Sequence, residues 1–193
     1  GVTENRRFAT KSQPVSIGRY LRVKRTNTAS HSFAKAPQRT NPAVLLFYNK
    51  EIFDRVGIEN PPETLEEMVE DAKLITSELA GEGIYGFAEN MKSASSGLNR
   101  SMIVGLQSET GAPMGYDFEK GEYDFTTWAD ELKLWTELLS DECAFPGCES
   151  LDIDPLRTQF AAGKIGMYMS YSHAEPGVYA NQFPMDSDKW DCA

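Results

Sequence analysis

Histidine occurs only at His31 and His173, and cysteine only at Cys143, Cys148 and Cys192. With no second Cys/His pair at ligand spacing, a structural zinc module is excluded. No run of eighteen apolar residues is present, so no segment reads as a transmembrane helix, and the amino terminus lacks the short apolar core of a signal peptide. A phosphate loop of the Gly-x-x-x-x-Gly-Lys type is missing, as is the Gly-x-Ser-x-Gly elbow of serine hydrolases. His173 also stands too close in sequence to Ser170 and Ser172 to serve easily as their base. No cofactor is implied. Internal repeats and low-complexity tracts are absent too.

Basic residues are scarce over most of the chain. Residues 1–42 hold nine Lys/Arg against Glu4 alone, whereas residues 43–193 hold ten against 28 acids. The acidic body disfavours nucleic acid and anionic lipid, because many carboxylates together repel phosphate. The basic segment has no sustained period, and proline interrupts it at Pro14, Pro37 and Pro42. It reads as a poorly ordered or non-native stretch, with a nucleic-acid-binding arm as its functional alternative. Cys143 and Cys148 bracket Ala-Phe-Pro-Gly, a turn-prone loop. A small-loop disulfide and two unpaired thiols are both open.

From Pro42 the pattern becomes regular. Ala43–Tyr48 is an apolar run of strand length, Asn49 caps a helix from Lys50 to Val56, and Gly57 stops it. Thr64 and Glu67 have capping-box spacing, and Leu65, Met68, Ala72, Ile75 and Leu79 share one face of the helix that follows. Ile84–Ala88 reads as a strand leading into a polar loop through Glu89 and Asn90. Leu98, Met102 and Leu106 predict a helix. Tyr116–Phe125 reads as a hairpin turning at Gly121. Thr126 or Thr127 caps a helix whose Trp128, Leu132, Trp135 and Leu139 face the core. Asp154-Pro155 predicts another helix start, with Leu156 and Phe160 inward and Gly163 as its stop. The order is mixed α/β.

The most informative stretch is Ile165–Gly177. Ile165, Met167, Met169 and Tyr171 alternate with Gly166, Tyr168 and Ser170, a period of two that predicts a strand. Ser172 and Glu175 then have the spacing of a second capping box, with Pro176 early in the helix. A strand end thus feeds a helix start through Ser170, Tyr171, Ser172 and His173. In open α/β folds small ligands sit at such junctions. The π faces of Tyr171 and His173 suit the C–H patches of a polyhydroxylated molecule, and Glu89 and Asn90 form a second candidate at another strand end. Glycosidase chemistry needs two opposed carboxylates, and no acid pair beside strand-end aromatics stands out. Binding is the reading that remains.

Three segments carry a family resemblance. Leu46-Phe-Tyr-Asn-Lys-Glu-Ile-Phe-Asp-Arg-Val-Gly-Ile58, continued through Pro61-Pro-Glu-Thr-Leu-Glu-Glu-Met68, resembles "LFYNKxxFxxxGxxxPPxTWxE" of the extracellular solute-binding proteins of ABC importers. The type is family 1, which includes the maltose- and oligosaccharide-binding receptors. Gly83-Ile-Tyr-Gly-Phe-Ala88 resembles its "GxYGFA" strand, and Phe160-Ala-Ala-Gly-Lys-Ile-Gly-Met167 its "FxxGKxAM" turn. The resemblance implies a periplasmic-binding-protein-like (type II) α/β fold. Two lobes would close a cleft around a saccharide and deliver it to permease subunits outside the membrane, without catalysis. Where the family usually has Gly-Ser-Trp, this chain has Tyr171-Ser172-His173, which keeps a π surface and makes a non-carbohydrate solute more plausible.

Members are about twice as long, consistent with two domains of ordinary size. The expectation is therefore an incomplete chain. Residues 43–193 would be the larger part of one helix-rich lobe, and the whole protein would be extracellular or periplasmic and lipoprotein-anchored. A carbohydrate-active enzyme fragment, and a nucleic-acid module led by the basic arm, are the alternatives.

Overall fold

The computed structural model describes residues 43–92 and 115–193. The expected helix at Leu98–Leu106 and the basic segment 1–42 lie outside the described residues.

Strand β1 (Val44–Asn49) runs straight into helix α1 (Lys50–Val56). Asn49 makes that junction: its Oδ1 accepts the Ile52 N–H at 3.2 Å, and Gly57 ends the helix at φ 78°, a conformation that glycine adopts freely. Helix α2 (Leu65–Leu79) starts on Thr64, whose hydroxyl accepts the Glu67 N–H at 3.1 Å. The returning carboxylate of Glu67 takes the N–H of Glu63 at 2.7 Å. Leu65, Met68, Ala72, Ile75 and Leu79 are buried as the period requires, joined by Val69 and Thr76.

Strand β2 (Tyr85–Phe87) follows, and α2 packs directly onto it. Gly86 permits the approach, since a Cβ there would collide with the backbone of Ala72. Thr76 fastens the contact by accepting the Gly86 N–H at 2.9 Å and donating to the Cys143 carbonyl at 3.1 Å.

A small hairpin, β3 (Tyr116–Asp117) and β4 (Glu122–Tyr123), turns at Gly121 as expected. Helix α3 (Ala129–Leu138) is not capped by Thr126 or Thr127. A 3-10 turn, Thr126–Trp128, precedes it, and Asp124 holds that turn by accepting from both the N–H and the hydroxyl of Thr126. With three residues per turn in place of 3.6 the turn enters the helix at a different rotation, and Trp128, Glu131, Trp135 and Leu138 are buried while Leu132 is exposed.

Helix α4 (Ile153–Ala161) is capped by Asp152 and not by Asp154, two residues earlier than the proline suggests. The Asp152 Oδ1 accepts the Ile153 N–H at 2.8 Å. Pro155 then falls within the first turn, where a missing N–H leaves no bond unmade. Strand β5 (Ile165–Tyr171), helix α5 (Glu175–Asn181) and a short strand β6 (Trp190–Cys192), which the sequence reading did not anticipate, complete the described chain.

The main sheet has the order β2-β5-β1-β6. β2 runs parallel to β5, whereas β1 is antiparallel to both β5 and β6. Its two faces meet separate cores. One holds Leu46, Ile52, Phe53, Met68, Ile75, Phe87, Trp135 and Met167 with α1, α2 and α3. The other holds Phe47, Leu156, Phe160, Tyr168 and Tyr179 with α4 and α5. Leu46 and Phe47 face opposite ways because neighbouring strand residues alternate. The result is a three-layer α/β lobe, and each large side chain so buried contributes about 1.5–3 kcal/mol.

Candidate functional site

The parallel pairing of β2 and β5 decides where the candidate residues meet. Tyr85 stands beside Ile165 and Phe87 beside Met167, and the Ala88 N–H donates to the Met167 carbonyl at 3.1 Å. Both strands therefore leave the sheet at the same end. Glu89 and Asn90 follow β2 there, and Ser172 and His173 follow β5. Antiparallel β1 enters at that end as well, with Val44 opposite Tyr171 and the Ala43 carbonyl accepting the Ser172 N–H at 2.9 Å.

The candidates differ in exposure. His173 is exposed, and Tyr171 and Ser172 are half-buried. The rings of Tyr171 and His173 lie 5.8 Å apart, inclined by 33°. Ser170, Glu89 and Asn90 are buried. The Cys148 thiol grips the backbone of Glu89, its Sγ accepting the N–H at 3.2 Å and donating to the carbonyl at 3.1 Å. Burial pushes that thiol up to about 11. Glu89 turns its own carboxylate onto the N–H of Asn90 at 2.9 Å. Cys143 and Cys148 are not bridged; both are buried thiols in the packing around β2.

The capping box expected from Ser172 and Glu175 does not form. Ala174 is the residue before α5, no side chain caps the helix, and Glu175 is its first residue. Its carboxylate instead points inward and is fully buried, where four donors hold it. Arg157 from α4 gives two, Nε to Oε2 at 3.0 Å and Nη2 to Oε1 at 2.7 Å. The Tyr168 hydroxyl donates to Oε2 at 2.9 Å and the Ser170 hydroxyl to Oε1 at 2.5 Å. Tyr168 has one proton and gives it to Glu175, so Tyr179 is the donor in the 2.6 Å contact between the two phenols.

A buried carboxylate needs a counter-charge. Arg157 supplies it, and Asp154 steadies the guanidinium from Nη1 at 3.1 Å. Burial works against the charged guanidinium, yet the bonds to Glu175 and Asp154 leave Arg157 above its ordinary range. Burial, with the charge of Glu175 beside them, raises both phenols; Tyr179 adds to the rise of Tyr168, whereas the bond to Tyr168 works the other way on Tyr179. Sequence reasoning missed this cluster; Arg157 lies 18 residues before Glu175 and on another helix. The one available signal was the polar alternation of Tyr168 and Ser170 along a strand otherwise buried.

Gly81-Glu-Gly-Ile-Tyr-Gly86 has the Gly-x-Gly-x-x-Gly spacing of a dinucleotide loop. It runs from the end of α2 into β2, helix to strand, the reverse of the setting in which such a loop cradles a pyrophosphate. Among the described residues no three His, Cys, Asp or Glu side chains gather as metal ligands, and no helix is long and apolar enough to cross a membrane.

The three-layer lobe thus brings the exits of β2 and β5 to the same end of its sheet. The chain belongs to the bacterial extracellular solute-binding proteins, whose family model matches residues 8–191. That match begins within the basic segment, further upstream than the motifs from Leu45. The family consists of substrate-binding proteins of ABC transporters, which are not enzymes.

A protein of Brucella abortus (strain 2308), named only as a binding protein, is 28% identical over 136 residues, covering 65% of this chain and 29% of the relative. Among solved structures, the ABC-transporter solute-binding protein of Agrobacterium vitis S4 with bound D-mannitol aligns with a TM-score of 0.63 at 20% identity. It covers 79% of this chain and 36% of that one. The Thermotoga lettingae solute-binding protein bound with α-D-tagatose gives 0.60 at 24% identity, over 78% and 38%. These likenesses show a periplasmic-binding-protein-like fold. The chain spans about a third of the length of the proteins it matches.

Proposed function

We propose that this chain is the greater part of one lobe of a receptor that captures a neutral, polyhydroxylated solute, a sugar or sugar alcohol, for an ABC importer. One observation supports this most directly: β2 and β5 run parallel and side by side, so two polar strand exits share one end of the sheet. Tyr171 and His173 present ring faces there to the C–H patches of a sugar, and Ser172 offers a hydroxyl. Glu89 and Asn90 at the exit of β2, and Ser170 near the end of β5, are the buried polar residues assigned to the same end. Sugar and polyol ligands in the structural relatives agree with this chemistry.

In the whole protein, closure of a second lobe over this edge would bury the solute, and permease subunits would receive the closed form. Anchoring by a lipid at the outer face of the membrane fits such a role.

The test is calorimetry of the whole protein against sugars and sugar alcohols, with Tyr171→Ala and His173→Ala alongside the wild type. Loss of a stacking ring should weaken binding about tenfold. Saturable binding that neither substitution alters would move the site elsewhere.

A further inference from the structure

The turn that carries Tyr171, Ser172 and His173 is fastened at both ends to one carboxylate. At its start the Ser170 hydroxyl donates to Glu175 Oε1, and at its end Glu175 itself opens α5. Within it the Ala174 N–H donates to the Tyr171 carbonyl at 3.1 Å, and the Ser172 N–H to Ala43 at 2.9 Å. The carboxylate is itself immobilised, because Arg157 grips both oxygens in a fixed fork and Tyr168 takes Oε2.

We propose that Glu175 is a positioning residue for the ligand edge, with Arg157 as its counter-ion, setting the Tyr171–His173 turn in its binding geometry before solute arrives. This rests on reading that edge as the solute site. Ordering the turn in the free protein removes a cost that binding would otherwise bear.

Two hydroxyls of the same strand hold the same carboxylate, and they separate a positioning role from a merely structural one. Ser170 adjoins the turn; Tyr168 lies two residues further back, inside the core. If Glu175 only stabilises the fold, Ser170→Ala and Tyr168→Phe should act alike. If it positions the turn, both should lower the melting temperature, but Ser170→Ala alone should speed hydrogen exchange at the Ser172 and Ala174 amides. The expected factor is about ten, the loss of one charge-assisted bond. It should weaken binding of D-mannitol, ribitol or maltose, whichever the wild type takes up, by a similar factor.

The experiment uses the full chain, with exchange followed by mass spectrometry and binding by calorimetry. Unchanged exchange in Ser170→Ala, or equal acceleration in Tyr168→Phe, overturns the proposal. If exchange responds as expected while none of the three probes binds even the wild type, the fastening stands and the sugar reading falls.

Discussion

Replacing Arg157 with methionine tests the buried ion pair most sharply. The substitution keeps most of the aliphatic stem and removes the guanidinium. Glu175, with none of its side chain exposed, would then keep two neutral donors, Tyr168 and Ser170, and lose both charged ones. Arg157 is itself only 13% exposed, so water cannot readily take its place. Removing one partner of a buried pair leaves an uncompensated charge and costs about 3–5 kcal/mol. For a chain of this size the melting temperature should fall by roughly 10 °C. The double variant Arg157→Met/Glu175→Leu should recover part of that loss, since no charge is then stranded, but the hydroxyls of Ser170 and Tyr168 would be left without their acceptor. A residual deficit of about 1–3 kcal/mol is expected. Urea denaturation followed by tryptophan fluorescence measures all of these. A single-variant loss under 1 kcal/mol, or a double variant no more stable than the single, would refute the assignment of Arg157 as the essential counter-charge.

Gly86→Ala should destabilise the lobe by about 3 kcal/mol, the upper range for overpacking, because its methyl group meets rigid backbone at Ala72; the urea midpoint reports it. Burial, with Glu67 and Glu70 adding like charge, pushes Asp71 up to about 6. A carboxyl raised on folding favours the folded state most when protonated, so that contribution is present below about pH 4 and lost as pH rises through about 6. Full linkage would make the loss about 3 kcal/mol, and screening at this half-open position reduces it to about 1. Asp71→Asn should accordingly be about 1 kcal/mol more stable than wild type at pH 7 and equal to it in acid, as denaturation at both pH values will show. A thiol reagent should modify Cys192 rapidly in the native protein and reach Cys143 and Cys148 only on unfolding, because both are buried. Rapid reaction of all three without denaturant would contradict the packing around β2.

Periodicity made much of the fold legible. The buried set of α2 contains every residue its spacing names, with Val69 and Thr76 added, and β5 is a strand over the residues expected, although it is buried on both faces through Tyr168. Asn49 and Thr64 cap their helices as their spacing indicates, but local signals misled at the later helix starts, where several side chains compete for the same N–H groups. Asp152 outcompeted Asp154, and Asp124 took the part given to Thr126 or Thr127. Glu175 failed as a cap because Arg157, far off in sequence, offers a carboxylate a stronger partner than a backbone amide. The candidate site was legible as two polar strand exits. That they leave the sheet together was not, since it depends on β2 lying parallel to β5, a tertiary fact with no local signature. The Cys148 grip on Glu89 is equally invisible in the sequence, being a contact across 59 residues.

The placement of β1 bears on how the lobe is made. It lies between β5 and β6, both encoded after α4, so a nascent chain carries this apolar segment past four helices and a hairpin with neither neighbour available. Sheet assembly must wait for late-emerging residues, which makes folding slow and leaves an exposed edge that invites association with other chains.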